Sequence, residues 1–304
     1  MLNIWKVDRF ALHDGPGLRT NMYCKGCPLR CLWCSNPEGQ TPDPDLVFVQ
    51  KRCIGCRLCI DICPSKALQI KTASEAGQYE VEINRAVCNM CGNCISACSS
   101  KALEVWGRTY SVSDIMSLIE RDRQAYRKSG GGITLTGGEP LYQWEGVKEL
   151  LQVCNRRGIH TAVETCAYAE EHFEEILHYV DWLFIDLKHM DSDSHLKVTG
   201  KRNDLILKNT RLASNVLARR KKVLVIRMVI VPGINDGQNI NATVNFIRSL
   251  PYVEKVELLP YHRYGAHDYT LLGRIYGLPD LKPPAPKVIA SYRKLLESRG
   301  IACL

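Results

Sequence analysis

Apolar and polar positions alternate over residues 3–12, which predicts a strand, and the strand ends in the turn sequence His13-Asp14-Gly15-Pro16-Gly17. A second short strand begins at Thr20 and leads into a loop that reaches Cys34. Beyond residue 107 helical periodicity alternates with short apolar runs. Ser113 is placed to cap a helix running to about Lys128, which Gly130-Gly131-Gly132 stops. A strand over 133–136 follows, then a helix over about 143–157 closed by Gly158. Further strands are predicted over 159–164, 182–187, 222–231 and 253–259, and a last helix over 285–299. Strand–helix repetition of this kind builds a parallel sheet. About six strands are too few for an eight-stranded barrel, so an open, partial (β/α)6 barrel is the expected α/β fold, ahead of a doubly wound sheet.

Between about Val49 and Trp106 the pattern changes. Two segments, 53–70 and 88–105, each carry four cysteines, then Ser-Lys-Ala-Leu, then a strand end, an internal repeat with a period near 35 residues. The chain therefore divides into the first part of a core (1–48), a small inserted module (49–106) and the rest of the core (107–304). No apolar run is long enough to span a bilayer, since the best one, 223–232, is interrupted by Arg227. The first ten residues lack the basic-then-apolar order of a secretory signal, which points to a cytosolic protein with no membrane partner.

Fifteen cysteines in 304 residues fit either disulfides or metal. Twelve of them lie between Cys24 and Cys98, mostly two or three residues apart, a spacing that converges on metal and would cramp disulfides. Cys27, Cys31 and Cys34 form C-x3-C-x2-C with no fourth cysteine at ligand spacing. On a four-iron cluster three thiolates leave one iron open, the condition chemistry requires. Cys24 could pair with Cys27 at a zinc site, but a small buried thiol in a strand is the better reading. Cys53, Cys56, Cys59, Cys63 and Pro64 make the C-x2-C-x2-C-x3-C-P run of bacterial ferredoxins, and Cys88, Cys91, Cys94 and Cys98 repeat it with Ser99 in place of proline. If the fourth cysteine crosses over, Cys53, Cys56, Cys59 and Cys98 hold one [4Fe–4S] cluster, and Cys88, Cys91, Cys94 and Cys63 the other. The module then serves either as an electron relay or as a structural staple. Cys154 and Cys303 read as packing residues on helices, and Cys166 as a buried thiol near the active side. The formal charge of +8 shrinks to about +3 once three clusters and eleven thiolates are included, and Lys and Arg form no large block, so no nucleic-acid partner is expected.

The cysteine loop followed by Thr136-Gly137-Gly138-Glu139-Pro140 resembles the radical S-adenosylmethionine (SAM) superfamily. The segments 14–20 (DGPGLRT) and 26–38 (GCPLRCLWCSNPE), with Asp186-Leu187-Lys188 and Leu258-Leu259-Pro260-Tyr261-His262, narrow the resemblance to glycyl-radical enzyme activating enzymes. The insert is similar to that of activators of glycerol-, hydroxyproline- and choline-type glycyl radical enzymes; the pyruvate formate-lyase activator lacks it. The resemblance implies three [4Fe–4S] clusters, with the one on Cys27, Cys31 and Cys34 binding and cleaving SAM. Trp33, Cys34 and Ser35 would lie near the adenine, and Gly137 and Gly138 near the methionyl ammonium. Asp186, Leu187, Lys188 and His262 would serve the ribose and carboxylate, and Asp186 with Glu164 a monovalent cation. Glu164-Thr165-Cys166 departs from the Asp-Thr-Asn type sequence of the pyruvate formate-lyase activator there. The implied partners are a glycyl radical enzyme, whose glycine loop residues 14–20 would contact unless they only shape a turn, and an electron donor such as flavodoxin or ferredoxin. The rival readings are a sulfatase-maturase-like radical enzyme, acting on a small molecule or another protein side chain, and a non-catalytic electron carrier.

Overall fold

Among the described residues there are twelve strands: β1 (Leu2–Ala11), β2 (Arg19–Cys24), β3 (Asp45–Phe48), β4 (Leu68–Ala73), β5 (Tyr79–Ile83), β6 (Leu103–Trp106), β7 (Arg108–Tyr110), β8 (Gly132–Gly137), β9 (His160–Thr165), β10 (Trp182–Asp186), β11 (Val223–Ile230) and β12 (Lys255–Pro260). The structure is a computed structural model that describes residues 1–73 and 79–304, so residues 74–78 of the insert lie outside the described residues. Eight strands form one sheet in the order β12-β11-β10-β9-β8-β2-β1-β7. Six of them, β2 and β8 to β12, run parallel, while β1 is antiparallel to β2, and β7 to β1. The edges β7 and β12 do not pair among the described residues, so the barrel is partial and open. The expected count of about six included the N-terminal strand; the parallel part has six strands without it, and β1 stands beside them as an antiparallel flank.

Alternation within each strand separates two environments. Ile133 and Leu135 of β8, Leu183 and Ile185 of β10, and Leu224, Ile226 and Met228 of β11 join the apolar core under the helices. The opposite phase faces the bore and carries Thr134, Thr136, Glu164, Asp186, Arg227 and Glu257 beside an apolar cluster of Ala162, Phe184 and Val225. Parallel sheets are normally apolar on both faces. A polar inner face therefore marks a bore built to hold polar groups.

Two sequence expectations change. The helix placed over 113–128 is two helices, Val112–Arg121 and Arg123–Ser129, and its cap is Ser111, not Ser113, in a capping box with Asp114. The break falls at Asp122, whose carboxylate accepts from Arg9 Nε (2.9 Å) and Thr20 Oγ1 (2.8 Å), binding this turn to β1 and β2. Cys303 is not helical. The last helix, Pro286–Ser298, ends, and the chain returns beside β12, with Val256 N donating to Ala302 O (2.8 Å) and Leu304 N to Val256 O (2.9 Å). That return covers part of an otherwise bare sheet edge.

The insert is built on two small sheets, one of which uses β3 from just before it. β3 pairs with β6 and β4 with β5, so the strand before one repeat pairs with the strand after the other. Left-handed backbone recurs at the 35-residue interval: Gly55 and Met90, Arg57 and Gly92, Lys66 and Lys101. These bends fold each cysteine run into a cup. Its apolar core, with Leu46, Phe48, Leu68, Val81, Ala102 and Leu103, is separate from that of the barrel.

Candidate active site at the cysteine loop

β2 delivers the chain at Cys24 to the C-terminal end of the parallel strands, where ligands bind in such folds. The loop that follows is pinned by its own backbone. Gly26 N donates to Thr41 O (3.0 Å), Arg30 N to Thr199 O (2.7 Å) and Leu32 N to Val198 O (3.0 Å). Lys25, fully buried, donates from Nζ to Glu38 O (2.7 Å) and Asp45 Oδ2 (2.9 Å), which anchors the loop to the start of the insert. Cys27, Cys31 and Cys34 face one another closely. Burial pushes the Cys31 thiol up to about 12 and raises Cys27 and Cys34; Cys31 and Cys34 raise Cys27 further, and Cys34 raises Cys31. Three converging sulfur donors that repel as thiolates suit an iron cluster, whose positive core removes that cost.

Gly137 and Gly138 pack on this loop. Gly138 N donates to Cys24 O and Glu139 N to Gly26 O, both at 2.8 Å. A Cβ on Gly138 would meet Gly26 O at 2.5 Å, and one on Gly137, where φ is +105°, would meet Cys24 N at 2.6 Å. The close approach that demands glycine here is to the cysteine loop's own backbone. Glu139, quoted only as part of a motif, is the tie to β9. Its buried carboxylate accepts from Thr165 Oγ1 (2.6 Å), Cys166 N (2.7 Å) and Leu141 N (3.0 Å). Cys166 is buried beside Cys27 and Lys188.

The remaining predicted positions fall into two cavities. Trp33, Asp186, Leu187, Lys188 and Val229 line one, a narrow crevice. Ser35 and His262 share another of about 670 Å³ with Trp5, Glu38, Tyr264 and Asp268. Lys188 Nζ lies 3.1 Å from Asp186 Oδ2. Burial alone would pull the lysine down, but Asp186 and the Cys31 and Cys166 thiols outweigh it and hold it charged. His262 stacks on Tyr264 with ring centroids 4.3 Å apart, and burial lowers its pKa.

Within the bore Glu164 is fully engaged. One carboxylate oxygen accepts from Arg227 and the other from Thr136 Oγ1 (2.6 Å). Arg227 also pairs with Glu257 (2.8 Å) and Asp14 (3.5 Å). Burial, offset in part by Arg227, pushes Glu164 up to about 8. Sequence reasoning used Arg227 only as an interruption; charged or polar residues at one phase of five successive strands, β8 to β12, were the available signal. The turn over 14–20 closes the opposite end of the bore. Arg19, fully buried and pulled down to about 10 by burial, donates to Thr134 Oγ1 (2.6 Å) and Pro16 O (3.0 Å), and Asn21 donates to Asp14.

In the insert, one cavity of about 440 Å³ is lined by Cys53, Cys56, Cys59 and Cys98, and a second of about 370 Å³ by Cys63, Cys88, Cys91 and Cys94. Each takes three thiols from one repeat and the fourth from the other. Ala67 N and Ala102 N donate to Cys63 Sγ (3.3 Å) and Cys98 Sγ (3.2 Å) at matching places. Four sulfur donors around an apolar cup are a set that fits a four-iron cluster.

The profile of the radical SAM superfamily matches residues 84–247, and that of the 4Fe-4S dicluster domain residues 52–102. The trans-4-hydroxy-L-proline dehydratase activating enzyme of Clostridioides difficile is 37% identical over 96% of this chain and 95% of its own. The choline trimethylamine-lyase activating enzyme of Oleidesulfovibrio alaskensis is 39% identical over 90% and 87%. The chain belongs to the glycyl-radical enzyme activating enzymes of the radical SAM superfamily. The benzylsuccinate synthase activating enzyme of Thauera aromatica is likewise 37% identical, over 98% of this chain and 91% of its own. As a family member the protein is a radical SAM enzyme that uses [4Fe–4S] clusters and SAM. No helix among the described residues is long and apolar enough to cross a membrane.

Proposed function

We propose that this activating enzyme installs a radical on a glycine of a partner glycyl radical enzyme, with Cys27, Cys31 and Cys34 holding the SAM-cleaving cluster. The observation that carries the reading is the meeting of three groups at one end of the parallel strands: the three thiols, the Gly137-Gly138 turn packed on their loop, and the Asp186–Lys188 pair. Held by Cys27, Cys31 and Cys34, such a cluster would supply the electron for reductive cleavage of the cofactor's S–C5′ bond, the radical chemistry needed to remove a hydrogen atom from the glycine Cα. In this reading Asp186 and Lys188 orient the ribose and carboxylate, Trp33, Ser35 and His262 border the adenine, and Gly137 and Gly138 expose backbone to the methionyl ammonium. A monovalent cation would rely on Asp186, since both Glu164 oxygens are already bound. The insert's eight cysteines hold two more clusters, making three, and residues 49–106 form the module that carries them. A cytosolic setting and a flavodoxin- or ferredoxin-type donor complete the proposal. Residues 14–20 lie at the end of the bore away from the cysteine loop, a place that favours their shaping a turn over their touching the incoming glycine loop.

The test is anaerobic. Reconstituted protein with a chemical reductant and SAM is expected to release 5′-deoxyadenosine, and addition of a candidate partner glycyl radical enzyme should give a glycyl-radical doublet by electron paramagnetic resonance. Absence of 5′-deoxyadenosine would overturn the radical reading. Its release without a doublet, with every candidate partner, would instead favour a small-molecule substrate.

A further inference from the structure

The three cysteines of the loop do not have equivalent neighbours. The short helix Pro37–Gly39 turns the chain back after Cys34, and Gln40 N closes it by donating to Pro37 O (3.1 Å). Against this turn packs the helix Ala266–Leu271, which carries Tyr269. Gln40 and Tyr269 are both buried, and both side chains lie against Cys34. The polar side chains that act on Cys27 and Cys31 are Glu139, Lys188 and Asp186, and they do so through charge.

The hydrogens of this pair can be counted. Arg274 lies 3.5 Å from Gln40 Oε1 and can only donate, so the amide oxygen faces it and the amide nitrogen faces inward. Gln40 Nε2 donates one hydrogen to Tyr269 Oη (3.0 Å). Tyr269 Oη accepts there and keeps its own O–H to donate. Two hydrogens are left, one on Nε2 and one on Oη, and buried donors rarely go without an acceptor. Among the described residues no oxygen or nitrogen takes either, and the Cys34 sulfur is the neighbour they share. Tyr276 does not compete, because its hydroxyl pairs with Tyr261 Oη (2.9 Å) while its ring meets Tyr269 edge-on at 5.1 Å.

The frame that aims these donors is fixed from outside the loop. Arg274 also donates to Pro37 O, and to Thr41 Oγ1 and Asp45 Oδ1 at 3.1 Å each. Its own N donates to Tyr269 O (2.8 Å). One arginine thus ties Gln40 and Tyr269 to each other and to Asp45, whose second oxygen accepts from the buried Lys25 (2.9 Å). Asp45 opens β3, along which Leu46 lines the cavity of Cys63, Cys88, Cys91 and Cys94, and Phe48 that of Cys53, Cys56, Cys59 and Cys98. The side chain that fastens the insert therefore also orients the two donors.

We propose that Tyr269 and Gln40 are positioning residues that each donate a hydrogen bond to the Cys34 thiolate and so raise the reduction potential of the SAM-cleaving cluster. This rests on the reading that Cys27, Cys31 and Cys34 hold that cluster. A thiolate that accepts hydrogen bonds pushes less charge onto iron, and the stabilisation is larger in the electron-rich reduced state. Reduction adds one electron from the external reductant and takes the core from 2+ to 1+, with no bond made and no proton moved.

The test is an anaerobic redox titration of the full chain with all clusters reconstituted, read by electron paramagnetic resonance. The signal perturbed by the non-cleavable analogue S-adenosylhomocysteine marks this cluster, and the insert's clusters are read in the same samples. Tyr269→Phe keeps the ring and its contact with Tyr276 but removes the O–H. Gln40→Met keeps the length of the side chain but removes both N–H groups. At a fixed potential the ratio of reduced to oxidised cluster should fall about three- to tenfold in Tyr269→Phe. It should fall in Gln40→Met as well, with iron content and the insert's midpoints unchanged. An unchanged or higher midpoint in Tyr269→Phe, or an equal shift in the insert's clusters, would overturn the proposal. If Tyr269→Phe loses this cluster, Gln40→Met decides by the same criterion. Loss from both variants would also overturn it, since the pair would then hold the cluster rather than tune it. A wild type with no signal perturbed by the analogue would overturn the functional reading instead.

Discussion

At Gly138 a side chain has no space to enter, because Gly39 O and Gly26 O stand against the Cα from two directions. Gly138→Ala should therefore push the cysteine loop from the β8 turn. We expect a loss of about 1–3 kcal/mol in thermal unfolding and a marked fall in SAM affinity by equilibrium dialysis. A different residue sets a pH dependence. Glu38 is 4% exposed, and burial with the nearby Asp268 pushes it up to about 7. A carboxyl group raised on folding is protonated more readily in the folded state. Its contribution is complete below the unfolded value of about 4.5 and is lost as pH rises through about 7. Stability measured by urea unfolding should decline from pH 6 to pH 8 by about 2 kcal/mol or less, and Glu38→Gln should flatten that slope.

Among the elements, the pair of helices before β8 shows how one carboxylate overrides local periodicity. The segment 112–129 has the pattern of a single helix, but Asp122 turns inward to meet Arg9 and Thr20 and interrupts it. Arg9 holds that carboxyl below its usual range. Asp122→Ala leaves the Thr20 hydroxyl without its acceptor and frees Arg9, at an expected cost of about 2–4 kcal/mol in urea midpoint analysis. The last helix was placed within a residue, yet the short return at Cys303 was invisible, since four residues carry no periodicity and their pairing is wholly tertiary.

On the scale of the molecule, barrel and insert differ in what holds them. The barrel buries a large continuous apolar core, whereas the insert has a handful of buried side chains, with the cysteines packed around them. A module this small depends on its bound groups. Chelating the iron should make residues 50–105 sensitive to limited proteolysis while the barrel stays resistant, as mass spectrometry of the fragments would show. The intact protein should carry about twelve irons, four for each cluster; a value near four would mean that the insert holds none.

Local spacing and period were enough to determine the cysteine runs, the repeat, the strand–helix alternation and hence an open α/β barrel with an insert. Those features depend on neighbours a few residues apart, so the linear chain displays them. Tertiary structure alone decided the bore's charge cluster of Asp14, Glu164, Arg227 and Glu257, the burial of Lys25, and the meeting of Glu38 with Asp268. Each joins residues far apart in sequence, and no single segment carries the pattern. It also decided which cysteine cup lies inward. The repeat makes the two cups equal in sequence terms, and only the attachment of β3 and β6 to the barrel makes one inner and one outer.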